Sequence, residues 1–319
     1  MEISDGVHRI EVRLGRRKLY LYLYTGDVNV LLDTGIANTP AAELARYMSE
    51  IGMQLNEITL ALNTHCDADH FGGNSELKKL SPRTVLTAHQ FDRSQIESPE
   101  NTMNLRYLQF EREHGIALPD NVKAELRSMM GEPTPLDLLV NGGEEIRIDD
   151  KRRLKVLHTP GHSKGHISLY DRRDRAIYIG DAVLWKYIPA SDGRPALPPS
   201  YLYPDEYVSS IRMLMEMRPN RIYTAHFDEM LGDEADRFLQ ESLQFVSELE
   251  NVIVEVHKEA GEPLTLKRII EEVYARYRLW PEEAKWDLAY PVSGHVDLMV
   301  SKGLLKAVMR DGVPAWVLN

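Results

Sequence analysis

The chain has 319 residues, of which 43% are hydrophobic and 27% charged, and its formal net charge is −11. This length predicts a large domain with a small additional one, and the acidic balance disfavours broad nucleic-acid binding. No apolar run approaches the roughly 20 residues of a membrane helix, and the N-terminus lacks a secretory signal pattern. The single cysteine, Cys66, excludes an intramolecular disulfide. We therefore expect a soluble cytoplasmic protein without a membrane partner.

Strand and helix patterns alternate through the N-terminal part of the chain. Leu and Tyr alternate over residues 19–24, which predicts a strand with an all-Leu face and an all-Tyr face. Residues 91–139 differ, because Met and Leu recur there in a helical pattern without a strand signal, and we interpret them as a helical insertion. The other elements predicted here are strands over 28–32, 58–62 and 85–88, a helix over 41–51 and a helix after Gly73.

Strand patterns return in the second half of the chain, over 145–148, 154–158, 167–170, 176–179 and 221–225, with a helix over 205–217. Two β-rich halves interleaved with helices predict an α/β (α+β) fold in which two sheets pack together with helices outside. Beyond residue 234, helical patterns over 235–260, 266–277 and 293–302 precede short strands over 304–309 and 315–318. This order is typical of winged-helix domains, so we predict one domain over 1–233 and a second over 234–319.

Four His or Asp side chains fall within the six-residue run 65–70 (His-Cys-Asp-Ala-Asp-His), directly after a predicted strand. Imidazole and carboxylate groups together suit zinc, iron or manganese. Further candidates follow predicted strands at His162, Asp181 and His226. Because loops at strand ends present side chains into clefts, we predict that these residues converge on a metal site. The alternative, a polar surface loop, fits poorly with such a density of ligands beside an apolar strand.

The order of these motifs resembles the metallo-β-lactamase superfamily over residues 7 to about 232. The family pattern is His-x-His-x-Asp-His, then Pro-Gly-His, then Gly-Asp and a final His, and the Asp33-Thr34-Gly35 turn resembles the usual end of its second strand. The resemblance implies an αββα sandwich that holds two divalent metal ions, with zinc favoured. Carried over by position, the first ion takes His65, Asp67 and His162, the second takes Asp69, His70 and His226, and Asp181 bridges them.

Position 67 departs from the family pattern, because Asp67 stands where a second His is usual. A carboxylate is a harder ligand than imidazole, which favours iron or manganese over zinc at the first position. Asp67 either binds this ion, directly or through water, or leaves the position partly empty, and the sequence keeps both alternatives open.

The resemblance also implies a reaction. Two cations lower the pKa of a bridging water toward neutrality and supply hydroxide. Asp69 and Asp181 are the expected catalytic residues, Asp69 by orienting this nucleophile and accepting its proton.

The insertion over 91–139 is expected either to form a lid with an apolar acyl pocket or only to pack against the core. The opposite wall is assigned to loop aromatics, namely Trp185, Tyr187, Tyr201 and Tyr203.

Three functions are compatible with this site. The first is hydrolysis of a small acyl ester, thioester or lactone, although Leu184 stands where lactone hydrolases of this fold have Tyr. The second is a phosphodiesterase or ribonuclease, which is disfavoured because the basic clusters at 16–18 and 151–153 precede strands, away from the predicted ligands. The third is a diiron or dioxygenase-type redox protein, although a diiron oxygen reductase needs a flavin domain that no motif indicates.

Two further patterns bear on function. Residues 161–165 (Gly-His-Ser-Lys-Gly) match the Gly-x-Ser-x-Gly elbow of serine hydrolases, but a strand rather than the required helix is predicted after them. The C-terminal segment resembles the winged helix of β-lactamase-like-2-type proteins. Its third helix is only weakly basic, so we interpret the segment as a module for packing or homodimer formation rather than for reading nucleic acid.

Overall fold

Two β-sheets packed face to face form the centre of the computed structural model, which describes residues 1–319. The first sheet consists of β1 (Glu2–Ser4), β2 (Val7–Leu14), β3 (Arg17–Tyr24), β4 (Val30–Leu32), β5 (Leu60–Leu62), β6 (Val85–His89) and β7 (Leu138–Val140), in that order. The following strands are β8 (Glu145–Arg147), β9 (Arg153–His158), β10 (Ile167–Asp171), β11 (Ala176–Gly180), β12 (Ile188–Pro189), β13 (Pro195–Leu197), β14 (Arg221–Thr224) and β15 (Met230–Leu231). The second sheet has the order β15-β14-β11-β10-β9-β8, while β12 and β13 form a separate ribbon.

Helices lie on the outer faces and in the insertion. They are α1 (Ala45–Glu50), α2 (Ala68–Phe71), α3 (Asn74–Leu80), α4 (Arg93–Ile96), α5 (Pro99–Thr102), α6 (Glu111–His114), α7 (Asp120–Met129), α8 (Pro204–Met217), α9 (Asp233–Ala260), α10 (Leu266–Tyr277) and α11 (Ala289–Ser301). Wider helical turns occur at Pro40–Leu44 and Met103–Tyr107, and tighter ones at Leu55–Glu57 and Glu282–Leu288.

The alternation of Leu and Tyr along β3 separates two layers of the core, as predicted. The Tyr face points to the second sheet, where Tyr22 contacts Tyr178 and Tyr223 with ring centroids 4.7 Å and 5.2 Å apart. The Leu face packs under the helical layer that contains Met48 of α1 and Leu77 of α3. Helices α8 and α9 cover the outer face of the second sheet. The helix–sheet–sheet–helix order confirms the predicted fold class.

Parallel pairing brings several strand ends to one edge of the molecule. β4 and β5 run parallel in the first sheet, and β11 and β14 run parallel in the second. The carboxyl ends of parallel strands point the same way, and crevices at these ends are the usual ligand sites of α/β sheets.

The insertion is helical from α4 to α7, but its last residues form a strand that the prediction lacked. β7 adds to the edge of the first sheet, parallel to β6. Three residues are too few to produce a periodic signal, so pairing with β6 rather than local sequence determines this strand.

The C-terminal segment contains α9, β16 (Leu264–Thr265), α10, α11, β17 (Leu305–Arg310) and β18 (Val313–Leu318). Its strands form a small sheet in the order β16-β18-β17. The apolar side chains of this segment belong to the same buried cluster as Ile177 of β11 and Tyr207 of α8. The boundary at 233/234 and the winged-helix assignment stay predictions. No helix of the chain has the length and apolar character required to cross a membrane.

Candidate metal centre

The structure brings all seven predicted ligand residues together at the edge where these strands end. Four follow strands, namely His65 after β5, His162 after β9, Asp181 after β11 and His226 after β14. The other three lie at α2, a helical turn where only a loop was predicted. Their nitrogen and oxygen atoms form three groups within 4.8 Å: His65–Asp67–His162, His65–His70–Asp181 and Asp69–His70–His226.

Helix α2 depends on the glycine that follows it. Asp67 precedes the helix in an extended conformation, so Asp69 and His70 project from successive positions of one tight turn. A Cβ added at Gly72 would lie 2.1 Å from the carbonyl oxygen of Met129 at the end of α7. Only glycine therefore allows the insertion to approach the ligand turn this closely.

The second ion position has the spacing of a metal site. His226 Nε2 lies 3.6 Å from Asp69 Oδ2 and 3.4 Å from Asp181 Oδ2. His70 Nε2 lies 3.7 Å from the same Asp181 oxygen. Bonds of about 2.0–2.2 Å in a tetrahedral site separate ligand atoms by roughly 3.3–3.6 Å. One divalent cation therefore fits between these side chains.

Four buried polar atoms of the predicted ligand residues have no hydrogen-bond partner: His65 Nε2, His70 Nε2, His162 Nδ1 and Asp181 Oδ1. Burying such atoms without a partner is unfavourable. His65 Nε2 and His70 Nε2 lie 3.9 Å and 3.7 Å from Asp181 Oδ2, where a cation would satisfy them, so the residues present fit the divalent metal that the resemblance implies.

Asp33 orients His70. Asp33 Oδ2 accepts a hydrogen bond from His70 Nδ1 at 2.9 Å and one from the Tyr178 hydroxyl at 2.8 Å, and Oδ1 accepts one from the backbone N–H of Thr64. This arrangement directs His70 Nε2 toward the ligand cluster. Burial alone lowers the pKa of His70, but the carboxylates of Asp33, Asp181 and Asp69 together raise it to about 10. Metal binding must therefore release a proton from His70.

Two further contacts hold ligands in place. His166 Nε2 accepts a hydrogen bond from the backbone N–H of Asp181 at 3.1 Å, and burial holds the pKa of His166 well below its usual value, which keeps this acceptor neutral. His226 Nδ1 donates to the carbonyl oxygen of Lys18 at 2.9 Å, which directs Nε2 to the site. Histidines 166 and 226 thus have fixed ring orientations before any metal binds.

Removing the negative charge at Asp33 is expected to weaken metal binding. Asp33→Asn should reduce affinity about 10- to 100-fold, the usual effect of losing a carboxylate that orients a ligating histidine. Competition with a chelator of known affinity measures this change. Tyr178→Phe serves as the control, because it removes one hydrogen bond to Asp33 but keeps the charge, so it should cost less. Equal affinities for Asp33→Asn and wild type would contradict the orienting role.

Asp67 forms an ion pair that the sequence did not reveal. Arg106 Nε donates to Asp67 Oδ1 at 2.7 Å, and Arg106 Nη2 donates to Oδ2 at 3.1 Å. Burial disfavours ionisation of Asp67, but the Arg106 guanidinium and His162 hold its pKa well below the usual range. Arg106 itself is only 2% exposed, in the turn Met103–Tyr107 of the insertion.

A cavity of about 330 Å³ opens directly onto the ligand cluster. The insertion supplies apolar side chains to it, including Phe110 and Leu126, and the C-terminal segment supplies Trp286 and Tyr290. Eleven of its 21 lining residues are hydrophobic. The cavity is therefore an apolar chamber with the candidate metal ligands at one end.

The expected walls of this chamber were partly wrong. Trp185, Tyr187, Tyr201 and Tyr203 do not line it; Tyr201, for instance, is buried against Tyr207 of α8. Ile188, Leu197, Pro198 and the C-terminal aromatics take their place. Among the side chains of the insertion, Tyr107, Phe110 and Met129 line the chamber, whereas Met103 and Met130 are buried in the core and Leu105 is exposed. The basic cluster at 16–18 is not remote either, since Arg17 reaches the cavity.

The serine-hydrolase alternative is wrong. Ser163 is buried and donates its hydroxyl hydrogen bond to Asp92 Oδ2 at 2.6 Å. The strand β10, not a helix, follows it. This serine therefore has neither the exposure nor the backbone setting of a nucleophile elbow.

The functional residues that sequence reasoning missed are Arg106, Tyr290 and the orienting Asp33. The sequence does mark Asp33, because it belongs to the Asp-Thr-Gly turn that resembles the family pattern, but the pattern assigns it no role. Arg106 and Tyr290 had none, since each comes from a helical segment remote in sequence from the ligand motifs.

Residues 15–226 match the family model described as the metallo-beta-lactamase superfamily. The chain belongs to this superfamily. It is similar to the beta-lactamase-like protein 2 homolog of Caenorhabditis elegans, at 23% identity over 322 residues that cover 98% of this chain and 87% of that protein. It is also similar to acyl-coenzyme A thioesterase MBLAC2 of Bos taurus, at 26% identity over 201 residues that cover 57% of this chain and 64% of that one.

Among solved structures, a metallo-beta-lactamase family protein from Thermus thermophilus has the same fold. Its TM-score is 0.77 at 17% sequence identity, and the match covers 100% of both chains. The shared fold therefore extends over the C-terminal segment as well as the two sheets.

Proposed function

We propose that the protein is a metal-dependent hydrolase of a small acyl substrate, an ester, thioester or lactone. The chamber beside the ligand cluster carries this proposal. Its volume of about 330 Å³ is at the lower end of the usual range for ligand pockets, and its walls are largely apolar. A short acyl group matches these properties.

The charges around the chamber oppose a polyanionic substrate. Its lining contains two guanidinium groups, Arg17 and Arg106, and Arg106 is already paired with Asp67. Five carboxylates face them: Asp67, Asp69, Glu125, Asp181 and Asp287. Nucleic-acid binding depends mainly on cationic contacts to phosphates, so this surface favours a neutral acyl group over RNA.

The chain's own residues have distinct tasks in this reaction. When bound, a divalent cation supplies Lewis acidity and lowers the pKa of water, which provides a nucleophile near neutral pH. Asp69, with Oδ2 3.6 Å from His226 Nε2, faces the chamber and is assigned to accept the proton of that nucleophile. Asp181, His70 and His226 would hold the cation, and the apolar walls exclude water from the acyl group.

The relatives support an acyl substrate, since one is named an acyl-coenzyme A thioesterase. Zinc is the metal we propose, because imidazole and carboxylate groups are both usual zinc ligands. The family's expectation of two ions, the cytoplasmic location and the homodimer remain predictions. The winged-helix-like segment is proposed to act in packing, since Trp286 and Tyr290 complete the chamber wall.

A panel of chromogenic esters, acyl thioesters, lactones, a phosphodiester and RNA tests the proposal on zinc-loaded protein. We expect turnover of at least one acyl substrate and none of the phosphodiesters. Salt-sensitive RNA cleavage together with inert acyl substrates would overturn the proposal in favour of a ribonuclease. Turnover of none of these substrates would overturn it as well.

Filling the chamber is expected to weaken acyl binding. Leu126→Trp on α7 places a larger side chain in the chamber and should raise KM for the longest accepted acyl group about tenfold or more. The effect should shrink for acetyl substrates, which need less space. Ala124→Trp is the matched control, because Ala124 lies on the same helix but is exposed and outside the lining. Steady-state kinetics across chain lengths measures both variants, and parallel changes in the two would show that the chamber does not hold the acyl group.

A further inference from the structure

The guanidinium of Arg106 lies where the first metal ion of this fold is expected. Besides its two bonds to Asp67, Arg106 contacts His162 Nε2 through Nη2 at 3.0 Å and donates through Nη1 to the His162 carbonyl oxygen at 3.1 Å. Nη2 also donates to the carbonyl oxygen of Ser200 at 3.3 Å. One cationic side chain therefore contacts two of the three predicted ligands of that position.

At the first position the Asp67–His162 pair has hydrogen-bond spacing, although His65 Nε2 lies 3.7 Å from Asp67 Oδ2. Asp67 Oδ2 and His162 Nε2 are 3.0 Å apart, whereas the ligand atoms at the second position are 3.4 to 3.7 Å apart. Each position has one histidine Nε2 without a partner, His65 at the first and His70 at the second, but His162 Nε2 at the first position is already hydrogen-bonded to Arg106 and Asp67. The first position is thus arranged around a guanidinium group, and the second position is arranged for a metal ion.

The position of Arg106 is fixed from several sides. The Tyr290 ring stacks on the guanidinium with a centroid distance of 4.6 Å, and the Tyr290 hydroxyl donates to the Arg106 carbonyl oxygen at 3.1 Å. Displacing this side chain would break its bonds to Asp67 and His162 and leave a buried charge without a partner. A metal ion that entered the first position would also face the repulsion of this charge.

The charges of the three cluster carboxylates balance with a single ion. Asp67, Asp69 and Asp181 contribute three negative charges to the cluster. One guanidinium and one divalent cation supply three positive charges, which compensates them. With the buried Asp33 carboxylate beside His70 counted as a fourth negative charge, a second divalent cation would leave one positive charge in excess in a largely buried site, which is unfavourable.

We propose that Arg106 replaces the first metal ion, so that the protein binds one divalent cation per chain, through Asp69, His70, Asp181 and His226. The inference rests on the metal-dependent chemistry proposed above but not on its acyl substrate. Asp67, predicted as a metal ligand, then serves as the counter-ion that holds Arg106. Arg106 is a positioning residue that keeps a positive charge at the first position in place of a metal.

Equilibrium dialysis of metal-free protein against micromolar Zn²⁺, followed by elemental analysis, tests this. We expect one zinc per wild-type chain. The double variant Asp67→His/Arg106→Gln removes both partners of the ion pair and restores a three-histidine first position, so it should bind two. Arg106→Gln alone is a second test and should also take up additional zinc. Arg93→Gln is the control, because this exposed arginine of the insertion pairs only with Glu97, and it should keep one zinc.

The possible results of this experiment distinguish failure of the proposed metal stoichiometry from failure of the proposed acyl hydrolysis. Two zinc ions in wild type, or one in a folded double variant, would overturn the replacement of metal by Arg106. No zinc in any variant would overturn the metal centre itself. One zinc in wild type and two in the double variant, with every acyl substrate inert, would sustain this inference while the proposed acyl function fails. Circular dichroism of each variant establishes that the measured protein is folded.

Discussion

Asp181→Ala protein is expected to keep its fold while its kcat/KM falls at least about a thousandfold. A bound metal contributes several kcal/mol to stabilising the transition state, and each 1.4 kcal/mol corresponds to about a tenfold change in rate. Asp181 Oδ2 lies 3.4 Å from His226 Nε2, 3.7 Å from His70 Nε2 and 3.9 Å from His65 Nε2. Burial disfavours ionisation of Asp181, but His226 and His70 hold its pKa well below the usual range. Its loss therefore removes the central negative charge of the site.

Activity on the best acyl substrate and zinc content by elemental analysis measure this effect together. Asp150→Ala is the control, because the Asp150 side chain is 91% exposed and pairs with Arg147 on the surface. It should keep both zinc and activity. Full activity in chelator-treated Asp181→Ala protein would contradict the assignment of the whole site.

Arg106→Ala is expected to destabilise the metal-free protein by about 3–5 kcal/mol, the usual cost of removing one partner of a buried ion pair. The variant leaves the Asp67 carboxylate largely buried without its cation. The double variant Asp67→Ala/Arg106→Ala removes that charge and should recover a large part of the loss. Urea unfolding in the presence of a chelator measures the free energy of unfolding of each protein.

An exposed ion pair provides the comparison for this result. Arg276 pairs with Glu259 on the surface, and Arg276→Ala should cost about 1 kcal/mol or less. An equally small loss for Arg106→Ala would contradict the description of its ion pair as a tightly held one. It would also remove the energetic basis for excluding a metal from the first position.

The ligand cluster was predictable because its residues follow strands that have clear patterns of their own. Apolar strands ending at Leu62 and Thr224 are directly followed by the ligand loops. Parallel pairing within each sheet and the packing of the two sheets then bring those loops to one edge. The two layers of β3 were predictable for the same reason, since alternation along one strand fixes which side chains share a face.

Other features depend on contacts between segments distant in sequence. Arg106 lies 39 residues from Asp67, in a polar helical stretch where nothing local distinguishes it from the exposed arginines around it. The chamber wall was assigned to the aromatics nearest Asp181 in sequence, but packing buries Tyr201 and brings Trp286 to the wall instead. Helix α11, predicted to begin at residue 293, begins at Ala289 because Pro291 is tolerated in a first turn.

The chamber wall formed by Trp286 and Tyr290 has a consequence for the order in which the protein is built. Chains are synthesised from the N-terminus, and their earlier parts fold first. All proposed metal ligands precede residue 227, whereas these two aromatic side chains emerge much later. The proposed metal ligands are therefore all synthesised before the side chains that close the chamber. On the proposed function, the acyl chamber is complete only once the last helix has been synthesised.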